Sequence, residues 1–190
     1  DTEIVYVDFS SDTFCLGGSS FAQVLNRIGE EAPDVKDADY FVKVFGAIQQ
    51  LATEGYILAG HDISAGGMIT ALLEMCFSDN KAGLQLDLSY LEEKDLVKLL
   101  FAENPGVLLQ IRDCKAVAAL LDQAGITYHF LGRPGKAGLL HLTANGKVWD
   151  LDIPSLRDLW FKTSYLLDRQ QSGAELALER YKSYKQNALT

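Results

Sequence analysis

The chain has 190 residues, of which 48% are hydrophobic and 23% charged, and this composition predicts a globular protein of one domain or two small ones. Its net charge of −9 argues against general binding to nucleic-acid phosphates. A small phosphate ligand remains compatible with that charge, because a metal ion or the amides of a helix start can hold one locally. Apolar runs fall short of the roughly 20 residues of a membrane helix, so no membrane partner is expected.

The three cysteines are far apart and lack the spacing of zinc ligands. They are typical of reduced thiols, and we therefore expect a cytoplasmic protein. The first residues, DTEIVYVDFS, lack the basic start and long apolar middle of a signal peptide and read as a strand. A chain that starts directly in a strand suggests a piece of a longer protein.

Hydrophobic spacing predicts strands and helices in alternation, followed by a hairpin and two terminal helices. The predicted elements are strand 3–9, helix 19–29, helix 39–55, buried strand 56–62, helix 66–80, strand 83–88, helix 91–104, strand 106–112, helix 113–125, strand 126–134, hairpin 138–153, and helices in 155–171 and 172–187. Within the hairpin, Asn145-Gly146 predicts a type I′ turn. Crossovers combined with a hairpin favour an α+β fold, a layered mixed β-sheet with helices, over a parallel doubly wound sheet.

The segment GHDISAGG, residues 60–67, is the main candidate site. It follows a predicted strand and opens a predicted helix, whose unpaired N–H groups favour anions. Asp62 could bind a hard cation such as Mg²⁺, Ser64 could donate to a phosphate, and Gly66 and Gly67 would let a phosphate approach the backbone. The residues alone leave a second interpretation open, in which Asp62 and Ser64 cap the helix and the glycines form a tight turn.

A second glycine-rich stretch, LGGSS at 16–20, also precedes a predicted helix. A turn followed by a helix cap is the favoured interpretation, and the absence of a GxxxxGK[ST] pattern excludes a P-loop. Glu74 is expected to be solvated or to face another domain. His129 and His141 are expected to be structural, and Trp160 is expected to contribute to core or interdomain packing.

Four segments of the chain resemble the large, multidomain form of phosphoribosylformylglycinamidine synthase, in the same order. GHDISAGGMITALLEMCF is similar to its HD-x-S-x-GG segment, and the other three segments are LGGSSFAQVLNRIGEEAPDVKDADYFVKVFGAIQQL, LFAENPGVLLQI and LRDLWFKTSYLLDRQ. The short motif alone is shared by the wider aminoimidazole ribonucleotide synthetase superfamily, which includes selenophosphate synthetase and thiamine-monophosphate kinase. The full set of segments is more specific than that motif.

The resemblance implies an aminoimidazole ribonucleotide synthetase C-terminal-like domain over residues 1–154, the last domain of the second of two similar synthetase halves. Residues 155–190 would form a helical extension leading towards a glutaminase domain. The implied partners are thus the N-terminal synthetase domains and the glutaminase domain of the same polypeptide. The implied activity is the ATP- and glutamine-dependent conversion of formylglycinamide ribonucleotide to formylglycinamidine ribonucleotide in purine biosynthesis, with the isolated fragment inactive.

By the same resemblance, Asp62 aligns with a carboxylate that binds Mg²⁺ beside ATP or ADP, and Ser64 aligns with a residue that contacts this nucleotide. The nucleotide site of this half is implied to be auxiliary. Ala65 stands where many relatives carry aspartate, so this chain lacks any function that the aspartate carboxylate has in those relatives. His61 is expected to orient the turn by hydrogen bonding. A different ATP-using member of the superfamily and a purely structural domain remain as alternatives.

Overall fold

A computed structural model describes residues 2–79 and 81–183, and that part of the chain contains seven strands and seven helices. The strands are β1 (Thr2–Asp8), β2 (Ile57–Asp62), β3 (Ala82–Asp87), β4 (Gly106–Arg112), β5 (Tyr128–Lys136), β6 (Leu139–Ala144) and β7 (Lys147–Asp152). The helices are α1 (Ser20–Val24), α2 (Ala38–Thr53), α3 (Gly67–Cys76), α4 (Leu96–Phe101), α5 (Cys114–Gln123), α6 (Ile153–Ser172) and α7 (Ala174–Ser183).

The strands form one sheet in the order β2-β4-β1-β5-β3-β6-β7. β3 and β6 run parallel, and the other neighbouring pairs run antiparallel. The predicted α+β fold with a mixed sheet is therefore confirmed. The predicted hairpin turn is also confirmed, since Asn145 and Gly146 both have positive φ, at 50° and 70°, as a type I′ turn requires.

The interior strand β1 is buried on both faces, which explains its nearly continuous run of apolar residues. Ile4 and Tyr6 lie in one hydrophobic cluster with the inner sides of α3 and α4. Val5 and Val7 lie in a second cluster with α2 and α5 on the opposite face. Helices thus cover both faces at the middle of the sheet, and α3, which follows the candidate site, belongs to the first layer.

Several predicted elements differ from the structure in their bounds, such as α3, which ends at Cys76 and not at residue 80. Three other differences have a clear physical reason. β2 was predicted to be buried but is an edge strand paired with β4, and all six of its residues are partly or fully exposed. α1 ends at Val24, five residues before the predicted stop, because Asn26 takes a left-handed conformation with φ of 53°. α4 begins at Leu96, because the Asp95 side chain accepts hydrogen bonds from the first free N–H groups and caps the helix there.

The start of α6 packs into the domain. Ile153 lies in the first hydrophobic cluster, and the buried Arg157 donates to the carbonyl of Phe77 at 2.8 Å. The division into 1–154 and 155–190 stays a prediction, and residues 184–190 of the predicted extension lie outside the described residues. Across the described ranges, none of the helices combines the length and apolar character needed to cross a membrane.

Candidate functional site

The loop between β2 and α3 is a tight turn fixed to the sheet at its base. The buried Ile63 donates its N–H to the carbonyl of Gly106 at 2.8 Å, which continues the pairing of β2 with β4. One residue further on, the carbonyl of Ser64 accepts from the N–H of Gly67 at 2.9 Å, which closes the turn into α3. The loop is therefore held by backbone hydrogen bonds both to the sheet and within the turn.

The predicted site residues meet in this turn, with their polar side chains outward. The side chain of Asp62 is 76% exposed, and Ser64 is exposed as well. Gly66 and Gly67 have positive φ, at 92° and 74°, which favours glycine at both positions. The part of the second interpretation in which Asp62 and Ser64 cap the helix is wrong, because Gly66 is the cap residue of α3 and no side chain caps that helix start. The part in which the glycines form a tight turn is confirmed.

The side chain of His61 makes polar contacts at the start of the turn. Its Nδ1 lies 2.7 Å from the carbonyl oxygen of Asp62, a distance at which a protonated Nδ1 donates a hydrogen bond to that oxygen. Its Nε2 lies 3.2 Å from Oε2 of Glu74 on α3. Glu74 was expected to be solvated or interdomain, but it is partly buried and pairs with His61, so this side chain ties α3 to the end of β2.

Glu103, which the sequence reasoning missed, lies directly beneath the turn. Its Oε1 accepts from the N–H of Gly66 at 2.8 Å and from the N–H of Ser20 at 2.7 Å. One carboxylate oxygen therefore joins the starts of α1 and α3. The sequence signal was the segment ENP directly before β4, which was interpreted as the end of a helix and as part of a segment that resembles the synthase family, with no role given to Glu103.

Asn104, the next residue, is 2% exposed and connects a further loop. Its Oδ1 accepts from the N–H of Cys15 at 3.3 Å, and its Nδ2 donates to the carbonyl of Thr13 at 3.0 Å and to Oγ of Ser10 at 3.3 Å. Neighbouring residues thus tie the loop after β1, the start of α1 and the candidate turn to one point before β4.

The second glycine-rich stretch is a turn and a cap, as predicted. Ser19 accepts from the N–H of Ala22 at 3.2 Å and donates its hydroxyl to the carbonyl of Leu16. A Cβ at Gly17 would lie 2.3 Å from the carbonyl oxygen of Glu31, so this glycine allows two stretches of backbone to pass close together.

The remaining candidates have structural contacts. The ring of His129 stacks on that of Tyr6 with centroids 6.4 Å apart, and burial lowers its pKa. Nδ1 of His141 lies 2.6 Å from Oδ1 of Asp150 on the adjacent strand. Trp160 packs edge-on against Phe77 at 5.7 Å while its side of α6 remains half exposed. These contacts agree with the structural roles expected for both histidines and the packing role expected for the tryptophan.

The residues of the turn fit part of a magnesium site. In the ranges that the structure describes, no group of three or more His, Cys, Asp or Glu side chains is arranged to hold a metal ion. Mg²⁺ often binds through one or two carboxylates and takes its other ligands from phosphate and water. The exposed carboxylate of Asp62 could supply one ligand of such a shared site, with Ser64 beside it as a donor to phosphate.

The fold and the turn together define an α+β domain with an exposed polar turn on the loop after an edge strand. Residues 13–143 match the family described as AIR synthase related protein, C-terminal domain. The chain belongs to this family, which confirms the fold implied by its sequence motifs.

Two relatives extend the similarity over nearly the whole chain. The phosphoribosylformylglycinamidine synthase of Homo sapiens is 34% identical over 189 residues, which are 96% of this chain and 14% of the human protein. The "Probable phosphoribosylformylglycinamidine synthase, chloroplastic/mitochondrial" of Arabidopsis thaliana is 36% identical over 174 residues, or 90% of this chain and 12% of that protein. The chain therefore spans only a small part of the relatives that it matches.

A solved structure supports the fold independently. The structure described as T. maritima PurL complexed with ATP superposes with a TM-score of 0.61 over 82% of this chain and 25% of that chain. Its identity to this chain is 15%, so the likeness concerns the fold.

Proposed function

We propose that this chain is a domain of a phosphoribosylformylglycinamidine synthase, in which it supplies one side of a nucleotide and Mg²⁺ site and packs against neighbouring domains. The observation that carries the proposal is the 34% identity to the human synthase across 96% of the chain. The outward polar turn, located where the sequence motif predicts it, supports the assignment of the site. The neighbouring fold that was solved with ATP adds support for a nucleotide as the ligand.

The proposed reaction of the whole protein joins glutamine-derived nitrogen to formylglycinamide ribonucleotide. ATP, glutamine and water are consumed, and formylglycinamidine ribonucleotide, ADP, phosphate and glutamate are released. When bound, Mg²⁺ would neutralise charge on the nucleotide phosphates. The Asp62 carboxylate would hold the ion, the Ser64 hydroxyl would donate to the nucleotide, and the glycines would shape the turn between them.

The geometry supports a domain that works only within a larger assembly. Asp62 and Ser64 are exposed, so a second surface is needed to exclude water from a nucleotide bound there. Several apolar side chains on α6 are also exposed, which is typical of a surface covered by another domain. These residues are Leu159, Trp160, Leu166 and Leu167. We propose the N-terminal synthetase domains and a glutaminase domain as partners, and the cytoplasm as the location.

The decisive experiment measures the affinity of Mg·ADP for the full polypeptide that carries this chain, by isothermal titration calorimetry. Asp62→Asn removes the charge of the proposed metal ligand while preserving its size. We expect affinity to fall at least about tenfold, which corresponds to ~1.4 kcal/mol. Asp39→Asn, at an exposed position at the start of α2, is the matched control and should bind as the wild type does.

Magnesium dependence separates a metal ligand from a side chain that acts in another way. Without Mg²⁺, the wild type and Asp62→Asn should bind ADP equally weakly. Equal affinity of the two proteins for Mg·ADP would remove Asp62 from the site. A wild type that does not bind Mg·ADP at all would leave the domain with a structural role.

A further inference from the structure

Two helix starts that are distant in sequence direct their N–H groups at one oxygen atom. Oε1 of Glu103 accepts from Ser20, the first residue of α1, at 2.7 Å and from Gly66, the cap residue of α3, at 2.8 Å. Such N–H groups have no partner within their own helix and favour a negatively charged acceptor. The carboxylate of Glu103 satisfies both of them with hydrogen bonds strengthened by its charge.

This contact determines which groups of the turn are available to bind a ligand. In this conformation, the N–H of Gly66 donates to Glu103 and the N–H of Gly67 donates to the carbonyl of Ser64. Both glycine amides are therefore occupied by groups of the chain itself. The groups that the turn offers outward are the side chains of Asp62 and Ser64, whose positions depend on how the turn is held from beneath.

The segment that carries Glu103 is held in place by contacts of its neighbouring residues. The following side chain, Asn104, is buried and makes three hydrogen bonds to the loop after β1. The ring of Phe101 packs against that of Phe21 on α1, with centroids 4.8 Å apart. Gly67 lies against the backbone of α4, where an added Cβ would be 2.7 Å from the carbonyl oxygen of Leu100. The turn and α1 are thus positioned against the same short segment.

We propose that Glu103 is a positioning residue of the nucleotide site: its carboxylate holds the cap of α3 against the start of α1, and so fixes the turn that presents Asp62 and Ser64. The inference rests on the proposed function, since it assigns a role in the binding of the same ligand. Glu103 acts through the backbone of Gly66 and needs no contact with the nucleotide.

The test measures Mg·ADP affinity in the full polypeptide, at a temperature where circular dichroism shows each variant to be folded. Glu103→Ala removes the acceptor and should weaken binding at least about tenfold, the scale of a lost hydrogen bond to a charged group. Glu103→Gln keeps an oxygen that can accept both bonds and should stay within about threefold of the wild type. The control Glu54→Ala removes an exposed carboxylate at the end of α2 and should leave affinity unchanged.

Chemical rescue adds a readout that a general loss of stability would not move. Formate is a carboxylate small enough to replace the side chain missing in Glu103→Ala, and it should restore part of the lost affinity. Chloride at the same ionic strength should not. If Glu103→Ala does not fold, Glu103→Asp serves instead, because a carboxylate set back by one methylene cannot reach both amides and should also weaken binding.

The outcomes separate this inference from the function on which it rests. Wild-type affinity in Glu103→Ala, or in Glu103→Asp where the alanine variant does not fold, would overturn the positioning role while leaving the nucleotide site intact. Equal rescue by formate and chloride would overturn it too. A wild type without affinity for Mg·ADP would overturn the proposed function, and the positioning role with it.

Discussion

Replacing Gly67 by alanine should destabilise the domain by about 2 to 4 kcal/mol. Two physical costs add up to this value. Gly67 has φ of 74°, and an L-residue held in that conformation destabilises the folded state by about 1 kcal/mol or somewhat more. A Cβ would also lie 2.7 Å from the carbonyl oxygen of Leu100 and 2.8 Å from the Cα of Phe101. Because both atoms are backbone, relief requires moving α3 or α4, at a cost of about 1 to 3 kcal/mol.

Gly18 supplies a matched control for the first cost. Its φ of 72° is nearly the same, but nothing lies within 4 Å of an added Cβ. Gly18→Ala should therefore lower the free energy of unfolding only by the cost of the backbone conformation, about 1 kcal/mol. Gly46, in the middle of α2 with open space around its added Cβ, should gain about 0.5 to 1 kcal/mol as alanine, because glycine is a poor helix former.

Urea unfolding measures all three variants against the wild type, with the free energy of unfolding taken by linear extrapolation. The reasoning requires the order Gly46→Ala, wild type, Gly18→Ala and Gly67→Ala, from most to least stable. If Gly67→Ala lowered the free energy of unfolding no more than Gly18→Ala does, α3 and α4 would not be in close contact at Gly67. The base of the candidate turn would then be less rigid than we infer.

Two further predictions concern contacts outside the turn. Asn104→Ala should lower the free energy of unfolding by about 1 to 3 kcal/mol, because it leaves groups such as the Cys15 N–H without their side-chain partner; a loss below about 0.5 kcal/mol in urea unfolding would contradict this. The hydroxyl of Ser172 and the guanidinium of Arg180 lower the pKa of Asp168 below its usual value near 3.9. The contact between α6 and α7 should therefore be fully stabilised above about pH 4 and weaken as the pH falls through the lowered pKa. Near-UV circular dichroism should show this acid transition in the wild type, and an identical profile in Asp168→Asn would refute the assignment.

Sequence patterns predicted the elements whose signals are local. β4 was predicted with its observed bounds, and the Asn145-Gly146 turn followed from the need for positive φ at two successive residues. The burial of β2 was predicted incorrectly, because an apolar run reveals that a strand can be buried but not how many neighbours it has. Its place at the edge depends on where β4 pairs, which is a long-range property.

The candidate site was also predictable where its signals are local and not predictable where tertiary contacts decide. Asp62 and Ser64 could be placed together from the sequence, because they lie in one short turn. The glycines could be assigned to a turn, but the sequence could not show that Gly67 packs against α4. Glu103 was missed because it acts on two helix starts that only the tertiary fold brings together.

The turn is rigid beneath and open above, and this asymmetry determines how it can contribute to binding. Contacts of Ile63, Gly67 and Glu103 fix the backbone of the turn on its inner side, so ordering this loop adds little entropic cost to ligand binding. The outer side offers an Asp62 carboxylate that is 76% exposed, and exposed charge pairs contribute only about 0 to 1 kcal/mol each. Tight binding of a charged nucleotide therefore requires a second surface that excludes water and brings further donors. Under the proposed function, the domain would position its part of the site, and the free energy of binding would come largely from the surface that closes over it.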